Sequence, residues 1–207
     1  MMKTSRVSRG LVGLTTLVAT LSLGTVWAAP QVGQPAPDFQ VVDTAGQTWT
    51  LAELTGKKTI LEWTNHDCPF VIKHYDSGAM QALQRDATDA GYVWLSVISS
   101  APGQQGHVSP AMADDLTERR DAHPTAVLLD ESGAMGRAYD AKTTPHMYLI
   151  DESGVLVYMG GIDDKPTTNQ ADLEGANNFV RAAMADLAAG QPIAVPVTRP
   201  YGCSVKY

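Results

Sequence analysis

The sequence holds two cysteines, Cys68 and Cys203, and they are its only candidates for thiol chemistry. Cys68 lies in Trp63-Thr64-Asn65-His66-Asp67-Cys68-Pro69-Phe70-Val71, where an apolar run ends, a polar loop follows and helical spacing begins. A cysteine at that junction stands at a helix N-terminus, where unsatisfied backbone N–H groups favour the thiolate, which is the nucleophile. Lys73 and His74 follow one turn later as sources of positive potential. Glu62, beside Trp63, reads either as a buried acid that tunes Cys68 and shuttles protons or as a carboxylate reaching solvent. His66, Cys68, His74 and His146 also form a candidate set for copper or zinc, a metal-handling alternative to thiol redox chemistry.

The elements that must carry these residues can be read from apolar patterning. Phe39–Asp43 and Thr48–Leu51 flank a turn and form a hairpin. Thr59–Trp63 is the kind of apolar run found in a central buried strand. From Pro69, which suits the first helical turn, Val71, Tyr75, Met80, Leu83 and Ala87 share one helical face if Ser77-Gly78 bends the helix. Tyr92–Ile98 is a second buried strand, and a Gly- and Gln-rich loop follows to His107. Ser109-Pro110 then opens a helix that runs to about Asp121. Thr125–Leu129 is a third strand, and Met135–Tyr139 is a helical turn with Arg137 and Tyr139 covering the sheet. Met147–Ile150 and Val155–Met159 alternate about Asp151–Gly154 as a hairpin. A helix is expected over Leu173 to about Ala189, stopped by Gly190 and Pro192. Asp114-Asp115 and Asp163-Asp164 read as solvated faces. Strands alternating with helices, then a hairpin and a last helix, describe an α/β three-layer sandwich with a mixed sheet.

The ends place the domain. Lys3, Arg6 and Arg9 precede an apolar run, and Val26-Trp27-Ala28 closes it in the pattern of a secretory signal peptide. An uncleaved anchor is the alternative. The expected division is a signal peptide over 1–28, one domain over 29–193 and a tail over 194–207 carrying Cys203. Export implies a periplasmic or extracellular site with no membrane association after cleavage. The net charge of −7 excludes a nucleic-acid partner, since no basic stripe faces phosphates. In an oxidising compartment a pair of cysteines is also readable as a structural staple.

The segment around Cys68 resembles the thioredoxin superfamily, and within it the redoxin and peroxiredoxin-like branch. Val32-Gly33-Gln34-Pro35-Ala36-Pro37-Asp38-Phe39 is similar to that family's lead-in, and Thr143-Thr144-Pro145-His146-Met147 to the loop with its cis-proline. The resemblance implies a thioredoxin fold and a thiol-dependent oxidoreductase that exchanges disulfides or reduces peroxides, with no cofactor. Its partner is a thiol or disulfide redox protein, or a small peroxide or disulfide. Cys68 is then the nucleophile, and Asn65, Glu62, Pro69, Thr144 and Pro145 shape its pocket, with the Thr144 backbone free to pair with substrate. Two departures stand out. Val71 occupies the place of a second Cys-x-x-Cys cysteine, and Asn65 and Pro145 take the places of a peroxiredoxin Thr or Ser and its Arg. Asn65 can still donate a hydrogen bond to a thiolate or peroxide oxygen.

The Pro-rich tail is able to present Cys203 to Cys68, so that Cys203 acts as resolving thiol through a Cys68–Cys203 disulfide. The bland alternative is a permanent Cys68–Cys203 bridge in a non-catalytic binding module, worth about 4–5 kcal/mol on the chain-entropy model. Pairing of Cys203 between chains is a third possibility.

Overall fold

The computed structural model describes Met1, Met2 and residues 29–207, so the expected signal peptide lies, past its first two residues, outside the described residues. The apolar run Thr59–Trp63 forms strand β3, buried along its whole length, as a strand covered on both faces must be. It follows a hairpin of β1 (Gln40–Val42) and β2 (Thr48–Thr50). β3 pairs in parallel with β4 (Val93–Ile98), and β4 in parallel with β5 (Ala126–Leu129). A short β6 (Thr143–Thr144) precedes β7 (His146–Ile150), which runs antiparallel to the other side of β3 and pairs with β8 (Leu156–Gly160). The five-stranded sheet therefore has the order β5-β4-β3-β7-β8 and is mixed.

Alternation along these strands feeds one large core on each face of the sheet, and a smaller cluster of Ile98, Val127, Val108 and Ala113. Leu61, Trp63, Leu95, Val97, Leu128, Tyr148 and Ile150 pack with Phe39, Val41, Met135 and Tyr139 on one face. Ile60, Trp94, Met147, Leu149 and Tyr158 pack on the other against three helices: α1 (Pro69–Asp76), α2 (Ala79–Asp89) and α5 (Phe179–Ala188). Between α2 and α5 lie α3 (Pro110–Arg119) and α4 (Ala134–Ala138). The break between α1 and α2 falls at Ser77-Gly78 as expected. Gly78 sits at φ +77°, a conformation that glycine adopts without the penalty of a Cβ. Ser109 caps α3, its Oγ accepting the Met112 N–H at 3.2 Å.

Three expectations are corrected. The last helix begins at Phe179 rather than Leu173: Gln170–Leu173 is a 3₁₀ turn, and Asn178 is the cap, its side chain accepting the Arg181 N–H at 2.9 Å. Arg137 does not cover the sheet. It lies exposed with its guanidinium 4.6 Å from the centre of the Tyr207 ring, while Tyr139 is fully buried. Asp163 is not a solvated residue but is buried, 3% exposed, whereas Asp164, Asp114 and Asp115 are exposed.

The tail is also more ordered than its composition suggests. Met159 N–H donates to Pro196 O and Thr198 N–H to Met159 O, so the tail runs alongside β8. It then forms β9 (Cys203–Ser204), antiparallel to β6, and its Lys206 carbonyl accepts the Ala101 N–H at 2.8 Å. Among the described residues no helix is long and apolar enough to cross a membrane.

Leu61 is fully buried in the central strand. Leu61→Ala is expected to lower the free energy of unfolding by about 2–5 kcal/mol. Chemical denaturation that returned a loss well under 1 kcal/mol would contradict the placement of this strand at the centre of the core.

Candidate active site

Cys68 is delivered by a turn that Asn65 builds. The Asn65 side-chain oxygen accepts the Asp67 N–H at 2.9 Å, and the Cys68 N–H donates to Asn65 O at 3.1 Å. Asn65 Nδ2 donates to Gln105 O at 3.3 Å, so this side chain is committed to the loop and not to the thiol, contrary to expectation. Cys68 is the N-cap of α1 and Pro69 its first residue, where a missing N–H costs nothing. The Val71 and Ile72 N–H groups close on the Cys68 carbonyl at 2.9 Å.

The Cys68 side chain is fully buried. Its thiol donates to the Thr144 carbonyl at 3.1 Å, across the sheet from β3 to the Thr144–Pro145 bond, which is cis as the resemblance implied. Across β6, the register places Cys203 opposite Thr144. The approach is very close at Gly202, which sits at φ +138°, and a Cβ there would fall 2.0 Å from Thr144 O. Only glycine fits. The strand edge expected to be free for substrate is therefore occupied by the chain's own tail. Cys68, Thr144, Pro145 and Cys203 are brought together; Asn65 and Glu62 are not part of this contact.

Both cysteines are free thiols in this structure, and they lie near enough for each to shift the ionisation of the other. Burial pushes the Cys68 pKa up, but the neighbouring Cys203 thiol, Thr144 and nearby backbone N–H groups outweigh it. The net effect holds Cys68 below its ordinary value. The Thr144 hydroxyl is buried without another partner, which leaves it free to donate to the sulfur once it ionises. Cys203 moves the opposite way, pushed up to about 12 by burial and by the neighbouring Cys68 with its charge. One proton thus stays on Cys203 while Cys68 becomes the thiolate, which is the form that attacks disulfides.

Glu62 resolves to the buried reading. Its carboxylate accepts from Tyr75 OH, Gln84 Nε2, Trp94 Nε1 and Ser96 Oγ at 2.9–3.3 Å. Burial is the larger influence and raises its pKa in spite of those four donors. None of these bonds reaches Cys68.

Lys73 and His74 do not face the thiol either, so they do not supply the expected positive potential. Lys73, 1% exposed, donates to Lys165 O at 2.8 Å and to Tyr201 OH at 3.2 Å. His74 Nε2 lies 3.2 Å from the same hydroxyl and 3.7 Å from Asp163 Oδ2. Burial lowers the His74 pKa to about 4, against the pull of Asp163, so the ring is neutral near pH 7. His66 pairs with Asp67, and His146 Nδ1 faces Tyr148 OH at 3.0 Å. The four residues of the candidate metal set are thus directed to separate partners. Among the described residues no group of three His, Cys, Asp or Glu side chains is arranged to hold a metal.

A family model described as Redoxin matches residues 31–177, which is most of the chain. The chain belongs to the Redoxin family. This redoxin is 30% identical over 149 residues to thioredoxin-like protein YneN of Bacillus subtilis, covering 70% of this chain and 81% of that one. Among solved structures, it is similar to an uncharacterized conserved protein from Geobacillus kaustophilus, with 26% identity and a TM-score of 0.72. That match covers 86% of this chain and 92% of the other. A hypothetical protein from Sinorhizobium meliloti shares its fold at 24% identity and a TM-score of 0.69, covering 87% and 96% of the two chains. The redoxin has the thioredoxin fold, and family membership gives it a general thiol–disulfide redox role.

Of the residues gathered here, Tyr201 is the one that the sequence does not single out. The one local signal was the alternation Tyr201-Gly202-Cys203, a short extended stretch in a tail otherwise read as irregular.

The buried histidine has a testable consequence for stability. His74 is depressed from 6.5 when unfolded to about 4 when folded. Between those values the unfolded chain binds a proton that the folded chain does not, so this contribution to stability is lost as pH falls. From pH 6.5 to about pH 5 wild type should lose about 1.5 kcal/mol more than His74→Gln, which keeps an N–H for Tyr201. Parallel stability curves for the two proteins over that range would exclude a buried neutral His74.

Proposed function

We propose that this redoxin is an exported thiol–disulfide oxidoreductase that works outside the cytoplasm, with Cys68 as attacking thiol and Cys203 as resolving thiol. The observation that carries the reading is the register of β6 with β9, which sets Cys203 opposite Thr144, the residue whose carbonyl accepts from the Cys68 thiol. The Cys68 thiolate attacks one sulfur of a substrate disulfide; a new S–S bond forms, the old one breaks and one substrate thiolate leaves. That step removes the negative charge from Cys68. The Cys68 charge that helped hold the Cys203 proton then falls away. Cys203 releases its proton, attacks the Cys68 sulfur, and the second substrate thiol departs. Substrate gains two electrons and the protein dithiol becomes the Cys68–Cys203 disulfide, which a dithiol partner reduces to restart the cycle.

A disulfide suits this site better than a peroxide. Asn65, the residue available to bind a peroxide oxygen, is held by Asp67 and Gln105. The export signal pattern at the N-terminus supports placement in an oxidising compartment, where disulfide exchange has substrates.

Cys203→Ser should retain its fold and accumulate a mixed disulfide on Cys68 when given a small disulfide, detectable by intact mass. Wild type should pass through that species to an internal disulfide. A Cys203→Ser protein that forms no adduct, together with a large loss of stability relative to oxidised wild type, would instead support a structural bridge.

A further inference from the structure

Tyr201 lies two residues before Cys203, and its hydroxyl is the centre of a buried polar cluster outside the thiol site. It donates to Asp163 Oδ1 and accepts from Lys73 Nζ and His74 Nε2, each at 3.2 Å. One proton and two lone pairs are all that a phenol has, so its capacity is used in full. Because the Tyr201 O–H points to Asp163, the His74 proton sits on Nε2 and points to the Tyr201 oxygen. The Tyr201 ring adds an edge-on contact with Phe70 at 5.8 Å and lies under the Lys73 ammonium, 5.1 Å from the ring centre.

Three of these contacts, Phe70, Lys73 and His74, come from α1, the helix whose N-cap is Cys68. The tail is therefore anchored to the same rigid element that carries the nucleophile. From Tyr201 the chain reaches Cys203 through Gly202, pressed against the Thr144 carbonyl. The cluster is a costly way to fix a tail. It takes a lysine ammonium and an aspartate out of water, which apolar residues would avoid. What it offers in return is a defined register with directional bonds, as buried polar groups do when one geometry must be selected.

We propose that Tyr201, held by Asp163, Lys73 and His74, is the positioning residue for the resolving thiol and the latch that closes the tail over Cys68. The inference rests on the reading of Cys203 as resolving thiol. Latched, the tail buries Cys68 completely and holds Cys203 at its sulfur. Unlatched, it uncovers Cys68 and lets Cys203 swing away. Loosening the latch therefore speeds the first step and slows the second, a pair of opposite effects that general destabilisation does not produce.

Fully reduced full-length protein mixed with one equivalent of the chromogenic disulfide dithiobis(nitrobenzoate) separates the two steps. Attack by Cys68 releases one nitrothiolate and leaves a mixed disulfide. Attack by Cys203 on the Cys68 sulfur releases the second nitrothiolate and one proton, and forms the internal disulfide. In Tyr201→Phe, which keeps the ring and loses the hydroxyl, the first release should be several-fold faster than in wild type. The second should be about tenfold slower, the size expected from loss of a charge-assisted hydrogen bond. Asp163→Asn, which keeps the shape of the cluster, should shift both phases the same way and serves if Tyr201→Phe folds poorly. Wild type that releases a single equivalent would overturn the resolving-thiol reading and the latch with it. Two equivalents in wild type, with both phases unchanged or both slowed in the variants, would overturn the latch alone.

Discussion

The pairing of Cys203 with Thr144 is the contact on which the rest of the site depends. Thr144 is bonded to the Cys68 thiol through its carbonyl, and it is opposite Cys203 in the β6–β9 ladder. Those two relations bring a half-buried thiol up to a fully buried one. The consequence is electrostatic. A buried thiol alone would resist ionisation, but a neighbouring thiol that keeps its own proton stabilises the charge on the other. Cys68 is poised because Cys203 is not.

The scaffold meets this demand with elements that do little else. β3 is central and wholly buried, so the turn that ends it is held firmly, and Asn65 shapes that turn around Cys68. Gly202 permits the contact between tail and Thr144 that any side chain would prevent. The polar groups buried nearby are satisfied by named partners: Glu62 by four donors, and Tyr201 by Asp163, Lys73 and His74. Incomplete satisfaction at either place would cost more than an apolar replacement, so each network stands or falls as a unit.

What the sequence made legible was local. β3 and β4 announced themselves as apolar runs, the bend at Ser77-Gly78 and the cap at Ser109 by residue type, and Cys68 by its place between strand and helix. The cis bond before Pro145 followed from resemblance rather than from periodicity. The failures share a cause, which is that the deciding partner is distant in the chain. Asp163 looked solvated because Tyr201, Lys73 and His74 are absent from its own neighbourhood in sequence. His74 looked like a cation because its burial under the tail is a tertiary fact. The tail looked irregular because a two-residue strand opposite Thr143-Thr144 leaves no periodic trace. Asn65 was assigned to the thiol by analogy, while its geometry is fixed by Asp67 and Gln105. The start of α5 was local but overridden: Asn178 was the better cap, and the apolar Leu173 drew the boundary too early.

The Cys203 thiol, by keeping its proton, is the group that lowers the Cys68 pKa. Titration of the Cys68 thiolate by its ultraviolet absorbance, in reduced wild type and in Cys203→Ala, measures that coupling directly. The Cys68 pKa should lie below the ordinary thiol value in wild type and rise clearly in Cys203→Ala, because burial remains and the neighbouring thiol that offsets it is gone. Equal pKa values in the two proteins, or a lower one in Cys203→Ala, would contradict this coupling.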